Sequence, residues 1–287
     1  MKRPGPGTRD PGSGTRDSKS DRRKLPRARK RFGQHFLEPA WVARLIAAVA
    51  PSSEDTFLEI GPGRGALTRP LAERAGRVIA VEIDRDLFAA LEGRRPPNVR
   101  LVQGDFLDID VQDLIQAERR PIRVVGNLPY NVASPILFRL LDEAREGTVL
   151  SDASLMLQRE VADRLLAGPG EADYGAMSIQ VQLMADVERV LNLPPGAFRP
   201  PPKVHSTVVR LSFRPPRVDV GRQPVFERVV RGVFMQRRKT LANALKPVAA
   251  SFGQSASEIL QKARLDGGRR PETLSLEDVA RLSQAVL

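Results

Sequence analysis

The sequence predicts an α/β fold, in which a doubly wound, mostly parallel sheet is followed by a small all-helical domain. Three observations lead to this prediction. Strand-like and helix-like segments alternate between residues 56 and 157, a glycine-rich stretch joins the first strand to its helix, and an acidic residue ends the second strand. Such alternation gives right-handed βαβ units with parallel strands, whose carboxyl ends form a crevice for ligands.

Each element follows from the spacing of its apolar residues. Apolar side chains recur at helical spacing over residues 39–49, and Pro51 ends that helix. Short apolar and β-branched runs predict strands at 56–60, 77–81, 99–103, 122–126, 153–157 and 207–213. Helices are predicted between them at 66–74, 85–91 and 134–144. From residue 188 to the last strand we expect proline-rich loops.

Charge divides the chain into three parts. Residues 1–31 carry 12 Lys/Arg and 3 Asp, residues 32–188 have a net charge of −8, and residues 189–287 have a net charge of +11. The glycine- and proline-rich start predicts a disordered basic tail over 1–28. The stretch RPPRVDVGR (214–222) reads as a linker before helices at 224–245, 255–263 and 275–286. We therefore expect a catalytic α/β domain over 29–214 and a basic helical domain over 215–287.

Composition limits the partners and the chemistry. The 287 residues include no Cys and two His, which excludes disulfides and cysteine-ligated metals and leaves little for a histidine metal site. We find no secretory signal and no bilayer-spanning run, and we expect a cytoplasmic monomer without metal or membrane contacts. An acidic middle between two basic ends favours binding to a polyanion such as nucleic acid.

The stretch FLEIGPGRGALT (57–68) predicts half of a ligand site. Gly61, Gly63 and a third glycine allow a tight turn and a close approach of backbone to ligand. Glu82 ends the next strand, where its carboxylate can accept hydrogen bonds from ribose hydroxyls. Asp105 ends the third strand at the same edge. The spacing G-P-G-R-G differs from the dinucleotide fingerprint, and Glu59 adds negative charge. This favours S-adenosylmethionine, which has a ribose and a cationic sulfonium, over a nicotinamide cofactor. The alternative to a ligand site is that the glycines form a plain tight turn.

The stretch VVGNLPY (124–130) predicts the other half. An exocyclic amine on a base is a weak nucleophile, because its lone pair is delocalised into the ring. The Asn127 side-chain oxygen and the Leu128 carbonyl can both accept hydrogen bonds from such an amine, Pro129 holds the turn rigid, and Tyr130 can stack on the base. A rigid turn with a packed tyrosine is the equally weighted alternative.

Several stretches together resemble one family. N-L-P-Y after E-I-G-P-G-x-G resembles the N6-adenine methyltransferases, which have a Rossmann-like class I methyltransferase fold. Further matching stretches are RKRFGQHFL (29–37), MLQREVADRL (156–165), AFRPPPKVHSTVVRL (197–211) and FMQRRKTLANAL (234–245). From about Arg29 to the C-terminus the chain resembles the KsgA/RsmA family of small-subunit (16S) rRNA adenine dimethyltransferases.

The resemblance implies a function and a set of site residues. It implies N6-dimethylation of two adjacent adenosines near the 3′ end of 16S rRNA in the assembling small subunit. The implied cofactor contacts are His35, Leu37, Gly61, Gly63, Glu82, Asp105 and Asn127. A flipped adenine would lie between Tyr130 and Phe198, and Arg237, Arg238 and Lys239, on a predicted helix, would contact rRNA phosphates.

The chain departs from the family at two histidines, and other functions stay open. His35 stands where the family more often has Asn, and His205 replaces a more usual Asp and reads as a surface residue. The alternatives are a large-subunit rRNA adenine methyltransferase, and an assembly factor that acts mainly by binding. A DNA adenine methyltransferase would more often show Asp-Pro-Pro-Tyr.

Overall fold

The computed structural model describes residue 1 and residues 34–118, 121–147 and 149–287. The strands are β1 (Phe36–Leu37), β2 (Thr56–Ile60), β3 (Arg77–Glu82), β4 (Val99–Gln103), β5 (Ile122–Asn127), β6 (Leu150–Gln158), β7 (Ala185–Leu193), β8 (Phe198–Arg199) and β9 (Ser206–Phe213). The helices are α1 (Pro39–Val49), α2 (Thr68–Ala72), α3 (Arg85–Glu92), α4 (Val111–Ile115), α5 (Ala133–Arg145), α6 (Arg159–Leu166), α7 (Ala176–Met184), α8 (Gln223–Phe234), α9 (Leu241–Ser251), α10 (Ala256–Ala263) and α11 (Leu276–Ala285). The predicted tail, apart from Met1, lies outside the described residues.

Seven strands form the central sheet in the order β4-β3-β2-β5-β6-β9-β7. The first five are parallel, and β9 runs antiparallel to both β6 and β7. The strand order reverses between β2 and β5, so their carboxyl ends border the crevice where open α/β sheets bind ligands. The predicted fold class is confirmed.

Alternating side chains of the strands fill two apolar layers. Phe57 of β2 faces the layer that contains α1, whereas the next residue, Leu58, faces the layer that contains α5. Both side chains are fully buried. Because successive side chains on a strand point to opposite faces, the run Thr56–Ile60, buried at every position, must be covered on both sides.

Arg123 ties together the amino ends of the strands. Its guanidinium donates to both carboxylate oxygens of Asp152 at 2.9 and 3.1 Å, to Asp55 at 3.0 Å and to the Val49 carbonyl at 2.9 Å. These partners come from β6, from the turn before β2 and from the end of α1. The edge of the sheet opposite the crevice is therefore cross-linked by one side chain, and the loops at the carboxyl edge can serve a site.

Three strands were not predicted, and two of them form an antiparallel pair. Residues 188–193, predicted as loop, continue β7, whose many exposed polar side chains are typical of an edge strand. The short strands β1 and β8 pair antiparallel, with Phe36 opposite Arg199 and Leu37 opposite Phe198. Neither strand shows a periodic pattern, because two residues are too few to give one.

The C-terminal helices pack on one another and on the α/β part. The single helical stretch predicted over 224–245 is wrong in detail: α8 ends at Phe234, and α9 begins only at Leu241. The two helices approach closely, since a Cβ placed on Gly232 would lie 2.3 Å from a Val248 methyl carbon. One apolar cluster runs from α5 and α7 into α8–α11. The division into two domains stays a prediction. No helix of the described residues is long and apolar enough to cross a membrane.

Candidate active site

The glycine-rich turn after β2 takes a conformation that only glycine adopts readily. Gly61, Gly63 and Gly65 have φ of +72°, +60° and +79°. A Cβ on Gly65 would also lie 2.7 Å from a Leu91 methyl carbon, so the turn is packed against α3. Three left-handed residues in alternate positions explain why the stretch reads G-P-G-R-G.

Glu82, at the end of β3, organises this turn. One carboxylate oxygen accepts from the Gly63 amide at 2.9 Å, and the other accepts from the Asp84 amide at 2.8 Å. The side chain is 3% exposed, and its burial raises the pKa of the Glu82 carboxyl, an effect that the backbone hydrogen bonds oppose. Besides these backbone bonds, the two oxygens have further lone pairs that can accept from ligand hydroxyls.

A cavity opens at the carboxyl ends of β2, β3, β4 and β5. All seven predicted cofactor residues line it, as do four of the five predicted catalytic residues: His35, Leu37, Gly61, Gly63, Glu82, Asp105, Asn127, Leu128, Pro129 and Tyr130. The lining includes the carboxyl groups of Glu59, Glu82 and Asp105, and the described lining residues include no Lys or Arg. The cavity therefore suits a cationic ligand better than a phosphate.

Glu59 differs from the other two carboxyl groups. It is 1% exposed, and its burial, together with the nearby charge of Glu82, raises the pKa of Glu59 to about 8. Glu59 is therefore largely neutral at pH 7 and adds little negative charge to the cavity. The Glu59 Oε2 atom is buried and has no hydrogen-bond partner among the described residues.

The side-chain amide of Asn127 is oriented by one contact. Its Nδ2 donates to the His35 carbonyl oxygen at 2.7 Å. A carbonyl oxygen only accepts, so the end of the amide that faces it is the nitrogen. The other end, Oδ1, is therefore the one that Asn127 can offer to a ligand as an acceptor. The sequence prediction requires this orientation, in which the oxygen of the Asn127 amide and not its nitrogen faces the ligand.

Tyr130 is held in the cavity wall by two neighbours. Its hydroxyl lies 2.7 Å from the Ser206 Oγ, and its ring stacks on the His35 imidazole with centroids 5.8 Å apart and planes 25° apart. His35 Nδ1 lies 2.7 Å from the Pro200 carbonyl oxygen. His205 is exposed in the same loop, in keeping with its interpretation as a surface residue.

The structure does not bring Phe198 to the cavity. Its side chain is 1% exposed and lies in the apolar layer with Leu37 and Val208. The cause is the pairing of β8 with β1, which sets Phe198 opposite Leu37 and turns its ring inward. In this structure Phe198 is a core residue, and the expectation that it faces Tyr130 across a base is corrected.

Several lining residues were not predicted from the sequence. Ile83, which is 44% exposed, and Phe106 give the cavity an apolar wall. Gln34 donates to Asp84 at 3.2 Å, and the Arg64 guanidinium lies 4.1 Å from the centroid of the Phe36 ring. Ile83 could have been predicted from the sequence, because it directly follows Glu82. The other contacts depend on how distant loops meet and left no local pattern.

The three predicted RNA-binding residues lie in a turn after α8 and not on a helix. Arg237 is engaged within the protein: its guanidinium donates to the carbonyls of Tyr174 at 3.1 Å and Ala172 at 2.6 Å, and lies 3.7 Å from the Glu272 carboxylate. The interpretation of Arg237 as a phosphate contact is therefore not supported by this geometry. Arg238 and Lys239 are exposed.

A basic stripe continues from this turn along α8. Arg228 and Arg231 are exposed at helical spacing, followed by Met235, which is 81% exposed. We call Arg228, Arg231, Arg238 and Lys239 the α8 basic stripe. None of the four forms an ion pair with a carboxylate in the part of the chain that the structure describes. The Arg228 guanidinium lies 5.2 Å from the centroid of the Phe252 ring, so Arg231, Arg238 and Lys239 are the charges most open to a partner.

The fold and the cavity define the class of protein. A seven-stranded sheet with this order, an acidic cavity at its switch point and an oriented amide acceptor on the adjoining strand are those of a Rossmann-like class I methyltransferase. The chain belongs to the ribosomal RNA adenine dimethylase family, whose model matches residues 26–282.

Named relatives agree with this assignment. The chain is 45% identical over 269 residues to "Ribosomal RNA small subunit methyltransferase A" of Geobacter sulfurreducens, covering 91% of this chain and 96% of the relative. It is 48% identical over 265 residues to the protein of the same name from Nitrosococcus oceani, covering 90% and 96%. These matches span nearly the whole of each relative.

Solved structures place the fold in the same group. A dimethyladenosine transferase from Plasmodium falciparum superposes with a TM-score of 0.72 at 26% identity, over 86% of this chain and 96% of that one. The 23S rRNA methyltransferase ErmE superposes with a TM-score of 0.59, also at 26% identity, over 88% and 99%. The predicted family is therefore confirmed.

The cofactor of this methyltransferase is S-adenosylmethionine, and the described residues fit it. The cofactor is cationic, and the described lining of the cavity has carboxyl groups without Lys or Arg. The carboxylate of Glu82 is placed to accept from ribose hydroxyls, and Ile83 with Phe106 offers an apolar wall to a purine ring. Gly61 and Gly63 line the cavity without a side chain of their own, which allows a close approach of ligand to backbone.

Proposed function

We propose that this chain transfers methyl groups to N6 of two adjacent adenosines near the 3′ end of 16S rRNA, in the assembling small ribosomal subunit. Family membership supports an rRNA adenine as the substrate, and the names of the relatives that are 45–48% identical support the small subunit. The observation that carries the proposal is the orientation of Asn127, whose amide nitrogen is fixed on the His35 carbonyl so that Oδ1 is the free acceptor.

The residues of the chain supply binding and orientation. When bound, S-adenosylmethionine provides an electrophilic methyl group. Asn127 Oδ1 and the Leu128 carbonyl accept hydrogen bonds from the N6 amine, which raises the electron density on the nitrogen and points its lone pair at the methyl carbon. Pro129 keeps the two acceptors in register, and the buried Leu128 side chain anchors the loop. As the N–C bond forms, the bond from the methyl carbon to the leaving sulfur breaks, N6 becomes cationic and then releases a proton to water, so a strong base is unnecessary.

Tyr130 is proposed to stack on the target base. Tyr130→Ala is expected to lower kcat/KM for methyl transfer by about 5–150-fold, because base–aromatic stacking contributes roughly 1–3 kcal/mol. Cofactor affinity, measured by calorimetry, should stay near that of the wild type. Tyr130→Phe is the matched control, because it keeps the ring and loses only the bond to Ser206. An unchanged kcat/KM in Tyr130→Ala would contradict stacking.

The α8 basic stripe is proposed to contact rRNA phosphates. Arg238→Ala should weaken binding to undermethylated small subunits and flatten the plot of log affinity against log salt by about 0.7–0.9, the change expected for one lost phosphate contact. Arg94→Ala removes an equally exposed charge near the opposite edge of the sheet and should leave the slope unchanged. Equal slopes in all three proteins would argue against the stripe.

The experiment that tests the proposed function is mass spectrometry of small-subunit rRNA nucleosides from cells with and without the gene. N6,N6-dimethyladenosine should be present only with the gene. Purified protein should transfer labelled methyl groups to small subunits that lack the modification. Transfer to large subunits alone would instead favour the second candidate, a large-subunit rRNA methyltransferase. The superposition with ErmE is the reason to include this candidate in the test. Monomeric state, cytoplasmic location and the absence of a metal stay predictions.

A further inference from the structure

The ring of Tyr130 is fixed at its tip and on one face. The tip is the hydroxyl, 2.7 Å from the Ser206 Oγ, and the face is covered by the His35 imidazole at a centroid distance of 5.8 Å. Ser206 begins β9, whereas His35 precedes β1, so two separate segments hold the ring. A ring held at two points enters a stacking interaction with little loss of side-chain entropy.

The imidazole of His35 is itself fixed. Its Nδ1 lies 2.7 Å from the Pro200 carbonyl oxygen, and because that oxygen only accepts, Nδ1 carries the proton. The pairing of Phe36 with Arg199 brings residue 35 beside Pro200. His35 is therefore a rigid wall that joins the segment before β1 to the proline-rich loop before β9.

A stacking ring with two open faces would accept a base in two positions. Only one of these positions can present N6 to Asn127 Oδ1, since that oxygen is held in one direction. A wall on one face of the Tyr130 ring would exclude the other position. Phe198, buried in the core, cannot perform this role in the structure described here.

We propose that His35 is a positioning residue, whose imidazole covers one face of Tyr130 so that the target purine stacks only on the opposite face. This inference rests on the proposed function. The contact between residue 35 and Asn127 uses the backbone carbonyl, which every substitution retains, so side-chain variants test the imidazole alone.

The first test compares three variants in methyl transfer to undermethylated small subunits. His35→Ala should lower kcat/KM about tenfold, the size of effect expected when a ring stack is lost. The dissociation constant of S-adenosylmethionine, measured by calorimetry, should change by less than about twofold. His35→Phe should restore most of the activity, because it supplies a ring at the same place. His205→Ala, the matched control, removes the other histidine, which is exposed, and should match the wild type.

A double-mutant cycle separates positioning from an independent contribution. In the Tyr130→Ala background, His35→Ala should cause no further loss of kcat/KM, because there is no ring left to position. Additive losses would overturn the inference. So would a loss of cofactor affinity in His35→Ala as large as the loss of methyl transfer, since His35 would then be a cofactor contact as first predicted from the sequence.

A readout without catalysis keeps the test independent of the proposed function. The chain has two tyrosines, Tyr130 and the buried Tyr174, so ring-labelled tyrosine gives two sets of NMR signals. His35→Ala should shift the Tyr130 signals through the lost ring current and leave those of Tyr174 unchanged. Unmoved Tyr130 signals would refute the stacking. If His35→Ala shifts the Tyr130 signals as expected but the wild type methylates no small-subunit rRNA, the proposed function fails and the stacking geometry stands.

Discussion

Replacing Asn127 with alanine is expected to lower the rate of methyl transfer about 10²–10³-fold, which is the usual loss when one oriented group that stabilises developing charge is removed. The side chain lies at the end of β5, is only partly buried, and its amide bonds to the His35 carbonyl. The fold and the affinity for RNA should therefore change little. Single-turnover kinetics with nucleoside analysis would measure the loss.

Control variants make this result specific. Gln116→Ala removes an exposed side-chain amide that does not line the cavity, and it should leave the rate near that of the wild type. After the first transfer N6 has one N–H left, so Asn127 variants should accumulate monomethyladenosine if the second transfer depends on the remaining acceptor. Near-normal rates of both transfers in Asn127→Ala would mean that this amide is a turn residue without a catalytic role.

Glu82→Ala is expected to weaken binding of S-adenosylmethionine by about 10²–10⁴-fold. Two hydrogen bonds from ribose hydroxyls to a carboxylate contribute roughly 1.5–3 kcal/mol each. The substitution also removes the acceptor for the Gly63 amide, so the glycine turn loses one of its contacts with β3 and keeps the bond from the Gly61 amide to the Val81 carbonyl. Calorimetry on the folded variant would measure the change.

Two further variants test whether the loss of affinity is specific to the Glu82 carboxylate. Glu82→Gln keeps one side-chain acceptor and should lose less affinity than Glu82→Ala. Asp108→Ala removes an exposed carboxylate three residues beyond Asp105 and should bind the cofactor normally. Unchanged affinity in Glu82→Ala would remove Glu82 from the cofactor site.

Most of the site could be predicted because its residues lie at strand ends. The parallel sheet brings Gly63, Glu82 and Asn127 together from three strands, and strand ends are readable from short apolar runs. Phe198 and Arg237 were misread for one shared reason. Their orientation depends on partners distant in sequence, the β1 strand and the carbonyls of residues 172 and 174. No local pattern encodes such contacts.

The atom that orients Asn127 belongs to the main chain of residue 35. Every amino acid has this carbonyl, so its contribution is insensitive to which residue occupies the position. It is sensitive instead to spacing, because adding or removing a residue between Gln34 and Leu37 would shift the carbonyl relative to β1 and its pairing with β8. Substitutions and length changes in this segment should therefore have different consequences. Insertions or deletions should abolish methyl transfer, whereas a substitution such as His35→Ala, which keeps the carbonyl in place, should only lower it.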